Sequence, residues 1–173
     1  MDPADKKLTT QEAGEFLIEV RSVCVEAKGA EDDLKELALT LDRGLRRLGF
    51  DFISMTLNRI VDPQNQRFSC HVVTGSVEYS LSEARRPGIF KEWQAGEIVI
   101  RRDLNQDLEG YPQNTLDRTL ENTGVLIRSM VNIPHLTGTL VLRSGVPDAF
   151  SDAQISFLQL VVRELSIGSP PSD

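Results

Sequence analysis

The residues best placed for chemistry lie between Val125 and Pro134, where Ile127, Val131 and Ile133 alternate with Arg128, Met130 and Asn132. Successive side chains of a strand point to opposite faces, so the first set makes an apolar face and the second a polar one. A charged residue inside a central strand needs a partner. If the apolar face meets a helical layer, Arg128 and Asn132 point the other way, where a guanidinium and an amide can hold a carboxylate or a phosphate. The competing reading is an internal ion pair of Arg128 with Asp103 or Glu121. The polar residues Ser54, Thr56 and Asn58, with Ser69 and His71, are expected either to line the same cavity or to form the solvated side of a sheet. Trp93, the single tryptophan, suits a lid or a cavity wall as well as ordinary packing, and Tyr111 has the same two roles open to it.

Other chemistries find little in the chain. The two histidines, His71 and His135, share no metal-ligand spacing with Cys24 and Cys70, so neither a metal nor a catalytic cysteine–histidine pair is expected. No G-x-S-x-G, phosphate-loop or G-x-G-x-x-G run occurs, and no cofactor is expected. Asp32 and Asp33 fall at a helix start, where the helix dipole accounts for them. Arg85-Arg86 and Arg101-Arg102 either meet a phosphate-bearing ligand or are solvated surface residues. With no nucleophile and base in sight, the expectation is a domain that is not an enzyme.

The elements that must position these residues follow from periodicity. Thr9 and Glu12 make a capping box ahead of Ala13, Phe16, Leu17, Val20, Val23, Cys24 and Ala27 at helical spacing, a helix ending near Gly29. A second stripe runs Leu34, Leu37, Ala38, Leu41, Leu45 and Leu48, closed by Arg43, Arg46 and Arg47 before Gly49. From Asp51 the period becomes two, with Ile53, Met55 and Leu57, then the turn Asp62-Pro63-Gln64-Asn65, then Phe68, Cys70 and Val72, a hairpin. The stretch from Gly75 to Gly96 reads as an irregular loop or short helix carrying Trp93. A short strand at Glu97 to Arg102 and a helix at Pro112 to Asn122 stopped by Gly124 come next. A hairpin of Val125 to Pro134 and Thr139 to Arg143 precedes a last helix capped by Ser151, with Ile155, Leu158, Val161, Val162 and Leu165 as its stripe. These imply an α+β fold, one antiparallel sheet of five or six strands with the terminal helices on one face and the loop and short-helix region on the other.

Length and composition bound the function. The 173 residues suit one domain, placed at 9–167, with the ends 1–8 and 168–173 expected to be disordered. A net charge of −7 repels a phosphate backbone, which argues against nucleic acid as a partner. A mean hydropathy of −0.22 and the lack of a long apolar run argue against a membrane span, and two widely spaced cysteines suit a reducing, cytoplasmic setting.

Specific residues then resemble a known family. The run IRSMVNIPHLTGTLVLRSGVPDAFSDAQISFLQLVVREL, Ile127 to Leu165, resembles the GAF domains, with an Arg-Ser pair opening a strand that ends in Pro, then Gly and an apolar strand, then a Phe-Ser-acidic helix start. GEIVIRRDLNQD, Gly96 to Asp107, resembles the family's short strand ending in Asp, and Leu34 to Leu57 its leading helix and first strand. The family's bilin-binding cysteine has no counterpart, because Cys70-His71 falls in an expected strand. The Asn-Lys-Phe-Asp-Glu signature of cyclic-nucleotide-binding members and the cysteine set of the methionine-sulfoxide reductase members are missing as well. The resemblance implies a small-molecule sensory module, and the residues read above then suggest a cytoplasmic one in which a small, anionic ligand meets Arg128, Asn132, Trp93, Asp103, Met130, His71 and Tyr111. Val20, Val23, Leu160 and Leu165 exceed what one narrow stripe requires, so the terminal helices are expected either to bury the surplus in a parallel pair of a homodimer or to absorb it in core packing, and a fused or associated effector is expected to read the response. The alternative is a ligand-free dimerisation module of a larger signalling protein.

Overall fold

A computed structural model describes residues 9–26 and 31–167. The ends expected to be disordered, 1–8 and 168–173, and the expected helix stop near Gly29 lie outside the described residues. Five helices and six strands follow one another as α1 (Thr10–Glu26), α2 (Glu31–Arg47), β1 (Ser54–Asp62), β2 (Arg67–Thr74), β3 (Val77–Arg85), α3 (Pro87–Ala95), β4 (Val99–Arg101), α4 (Gln113–Thr123), β5 (Ser129–His135), β6 (Gly138–Ser144) and α5 (Asp152–Ile167). The helix starts are those the capping residues predict. The Glu12 N–H donates to Thr9 Oγ1 at 3.2 Å, and the Gln154 N–H to Ser151 Oγ at 3.2 Å while Gln154 Oε1 accepts from the Ser151 N–H. Gly124 ends α4 in the left-handed conformation, its N–H bonded to the Leu120 carbonyl.

The strands form one antiparallel sheet in the order β3-β2-β1-β6-β5-β4. Directly opposed residues share a face, so the register sorts every side chain. Met55, Leu57, Val73, Val131, Ile133, Leu140 and Leu142 face the terminal helices and join Phe16, Val20, Leu41, Leu45, Leu158 and Val161 in the core. The other face carries Thr56, Asn58, Thr74, Asn132, Thr139 and Arg143 beneath α3 and α4, all buried. Burial of polar side chains on both a sheet and its cover requires internal partners or a ligand. That face is therefore where function has to be sought.

Two expectations change. The stretch from Gly75 to Gly96 holds the expected short helix carrying Trp93, α3, but its first half is a nine-residue strand, β3. Val77, Tyr79 and Leu81 do alternate, but β3 is an edge strand with most residues exposed, and its register slips opposite Phe68 and Cys70, with Glu83 at φ +52°. An edge strand broken by a bulge loses the clean period that a central strand shows. The surplus apolar margin of the terminal helices also differs. Val20 and Leu165 are core residues, while Ile18, Val25 and Leu160 are exposed. Among the described residues no helix is long and apolar enough to cross a membrane.

Candidate functional site

Arg143 on β6 anchors the polar face. Its side chain is 8% exposed, Nη1 donates to Thr56 Oγ1 at 3.0 Å and Nε to the Tyr111 hydroxyl at 3.0 Å. No carboxylate of the described residues pairs with it. A buried guanidinium bonded only to neutral oxygens is an electrostatic debt that a bound anion would cancel. Beside it opens a cleft of about 40 Å³, room for one small polar group, between the sheet and α4. Arg118 of α4, which also donates to the Tyr79 hydroxyl at 3.4 Å, and Arg86 at the start of α3 bring two more guanidiniums to its wall. Thr74 Oγ1 lines the same cleft, buried and with no hydrogen-bond partner.

Cys70 reads out this local field. Burial pushes its thiol above the ordinary range, while Arg86, the Leu81 backbone, Arg143 and Arg118 pull it down. Arg86, Arg118 and Arg143 thus line one cleft of a chain whose net charge is −7. Cys24, by contrast, lies in the helix-side core and is pushed up to about 11 by burial and by Glu164.

The residues singled out from sequence fall into separate places. Met130 stands directly opposite Arg143 in the register and Asn132 opposite Val141, both on the polar face, and Tyr111 holds Arg143 while its ring lies 5.6 Å from the Arg101 guanidinium. Asn132 donates to the Glu92 carboxylate of α3. Trp93, on the same helix, lies tilted against Phe90 and donates from Nε1 to the His135 carbonyl at 2.9 Å, so α3 covers the β5–β6 half of the face. Arg128 lies one residue before β5 and is held by Asp103 at 3.2 Å, with both side chains partly exposed. His71 belongs to the opposite face. It opposes Leu57, its Nδ1 meets Ser80 Oγ at 2.7 Å, and its Nε2 lies 3.4 Å from Glu78, which pairs with Lys35 of α2. His71 and Ser69 therefore do not share a cavity with Ser54, Thr56 and Asn58, because the register sets Cys70, Val72 and Thr74 opposite those three. Sequence reasoning missed Arg143, Arg118 and Thr74. The signal was present in Thr139, Val141 and Arg143, one face of the strand next to Asn132.

His135, at the end of β5, has Nε2 shut off from solvent without a partner. Burial lowers its pKa from 6.5 to about 4, only partly offset by the Asn58 backbone. The unfolded chain takes up this proton below about pH 6.5 and the folded chain only near pH 4, so the contribution is complete above 6.5 and is lost as the pH falls through that window. The loss is on the order of 3 kcal/mol. His135→Gln should accordingly narrow the gap between melting temperatures at pH 7 and pH 4.5. An unchanged gap would mean that the folded ring is protonated as freely as the unfolded one.

No family model matches the sequence, and no curated protein matches it. Solved structures do. The GAF domain of an Acinetobacter phosphoenolpyruvate-protein phosphotransferase is 16% identical with a TM-score of 0.62, covering 92% of this chain and 93% of that one. The GAF domain of a two-component sensor histidine kinase from Bacillus halodurans is 14% identical with a TM-score of 0.60, covering 78% and 92%. The free methionine-R-sulfoxide reductase of Neisseria meningitidis, solved with its substrate, is 14% identical with a TM-score of 0.60, covering 92% and 90%. This last neighbour corrects the expectation that the domain is not an enzyme. The same arrangement of elements hosts a reductase, so the lack of a familiar catalytic motif does not separate enzymes from other proteins of this architecture. At these identities the likeness carries the fold and not the reaction. The chain has the GAF-like fold, with an arginine-lined cleft on the sheet face opposite its terminal helices.

Proposed function

We propose that this chain is a ligand-responsive signalling domain whose cleft takes a small anion and whose terminal helices carry the response outward. The observation that supports this most is Arg143, a buried cation without a counter-ion among the described residues, flanked by Arg118, Arg86 and the unpartnered Thr74 hydroxyl. Carboxylate and phosphate are the groups that a guanidinium fork binds best. The route outward is short. β6 presents Arg143 to the cleft, while the residue before it, Leu142, points into the core shared with α1 and α5. Arg21 and Glu164 tie those two helices by a two-pronged ion pair at 2.7 and 2.9 Å. A shift of β6 on anion binding would reach both helices through packed side chains.

The outward residues Ile18, Val25 and Leu160, 66%, 71% and 46% exposed, favour a second copy as partner along α1 and α5. An effector, fused or associated, would read their geometry. Two free, buried cysteines suit the reducing cytoplasm. Native mass spectrometry with titration of inorganic phosphate and acetate tests the reading. A dimer whose melting temperature rises with either anion is expected. A dimer indifferent to both would favour instead a ligand-free interaction module built on the same exposed residues.

A further inference from the structure

The sheet register sets the floor of the arginine cleft in a row. Ser54 of β1 stands opposite Thr74 of β2 on one side and Arg143 of β6 on the other. Arg143 crosses towards β1 to reach Thr56 Oγ1, which brings its guanidinium to about one strand spacing, roughly 5 Å, from the strand that carries the unpartnered Thr74 hydroxyl. The wall is α4, where Thr115, Arg118 and Thr119 recur three and four residues apart and so share one helix face. Arg86, which follows β3, comes to the same cleft, and its side chain takes no part in capping α3. No carboxylate of the described residues forms an ion pair with Arg86, Arg118 or Arg143. Every residue lining the cleft bears a guanidinium or a hydroxyl except Val72, and none is acidic.

We infer that the group this cleft takes is the phosphoryl end of a small phosphomonoester. This rests on the anion reading of the Arg143 cleft and adds which anion it is. Charge is the first argument. A monoester carries about −1.5 to −2 near neutral pH, where a carboxylate or a diester carries a single charge, and three guanidiniums without carboxylates favour the higher one. Size is the second. The space of about 40 Å³ has room for about three water-sized atoms at about 10–15 Å³ each. A phosphoryl group held by one ester bond has three free oxygens, whereas a carboxylate has two, and a diester places a second carbon branch where the third oxygen belongs. Each oxygen accepts, and the lining supplies guanidinium and hydroxyl donors to all three. The rest of the ester lies outward past Arg118, which is exposed.

Calorimetry on the whole chain at pH 8, where a monoester is almost fully doubly charged, compares methyl phosphate, inorganic phosphate, dimethyl phosphate and acetate. Methyl phosphate should bind about tenfold or more tighter than acetate and dimethyl phosphate, and no more weakly than inorganic phosphate. Replacing both outer arginines, Arg86→Gln with Arg118→Gln, should bring methyl phosphate down to the level of acetate, with acetate itself little changed. Thr74→Val should weaken methyl phosphate several-fold with the melting temperature unchanged or raised, because it removes a buried hydroxyl that has no partner. Acetate or dimethyl phosphate bound as tightly as methyl phosphate, or an advantage that survives the loss of both arginines, overturns the monoester and leaves the anion cleft standing. Inorganic phosphate bound about tenfold tighter than methyl phosphate makes the free ion the ligand and overturns the ester. If none of the four binds, the anion reading falls, and the monoester with it.

Discussion

Arg143→Met should lose anion binding by about a hundredfold while leaving the melting temperature unchanged or raising it by a few degrees. The two effects have one cause. In the unliganded fold Arg143 is a cation withdrawn from water, compensated among the described residues only by the Thr56 and Tyr111 hydroxyls. Replacing a poorly compensated buried charge with an apolar side chain of similar length is commonly neutral or stabilising. The methionine would lie beside Met130, its directly opposed neighbour on β5, and Val141 two residues back on its own strand. Binding moves the other way, because two charge-assisted hydrogen bonds to an anion are worth on the order of 3 kcal/mol together. Arg143→Lys should hold an intermediate affinity, since it keeps the charge but not the fork. The measurements are phosphate or carboxylate titration and a thermal melt on the same preparations. A melting temperature lowered by 10 °C or so with affinity intact would make Arg143 a structural residue and remove the main support for the ligand reading.

The same arithmetic explains why this face is polar although it is covered. A domain selected for stability alone would place apolar residues where Thr56, Asn58, Asn132 and Arg143 stand, as it does on the helix side with Leu57, Ile133, Leu140 and Leu142. Stability given up at one face and retained at the other is the usual mark of a binding surface. The Arg128–Asp103 pair is a useful contrast. There a cation has its carboxylate at 3.2 Å, both are partly solvated, and nothing is left for a ligand to satisfy.

Much of this fold was legible because most elements announce their own boundaries. Thr9, Ser151 and Gly124 cap where the structure caps, and the stripes of α1, α2 and α5 are buried as their spacing requires. What could not be read was which strand lies beside which. The same alternation rule that picked Arg128 and Asn132 applies to Arg143, but only the β1–β6 and β5–β6 registers reveal that Thr56, Arg143 and Met130 share a neighbourhood. His71 shows the converse error. Its strand has apolar residues on both parities, Phe68, Cys70 and Val72 as well as Val73, so the sequence leaves open which parity faces the helices. Pairing with Leu57 decides it, and pairing is a long-range fact.

Gly138→Ala should lower stability by about 3 kcal/mol and the melting temperature by roughly 10 °C. Gly138 opens β6 directly opposite Arg59. A methyl group there would come within 3.0 Å of the Asn58 carbonyl and the Arg59 Cα, main-chain atoms that no rotamer change can move aside. Relief requires β1 and β6 to part at the hairpin end, where Ile60 N–H reaches the Thr137 carbonyl at 2.7 Å. Gly14→Ala is the control. It lies inside α1 with nothing within 4 Å of the added methyl, so it should stabilise by about 0.5 to 1 kcal/mol through helix propensity. Denaturant melts of the two glycine variants check this, and a Gly138→Ala protein as stable as its parent would mean that β1 and β6 are not as closely apposed as their register requires.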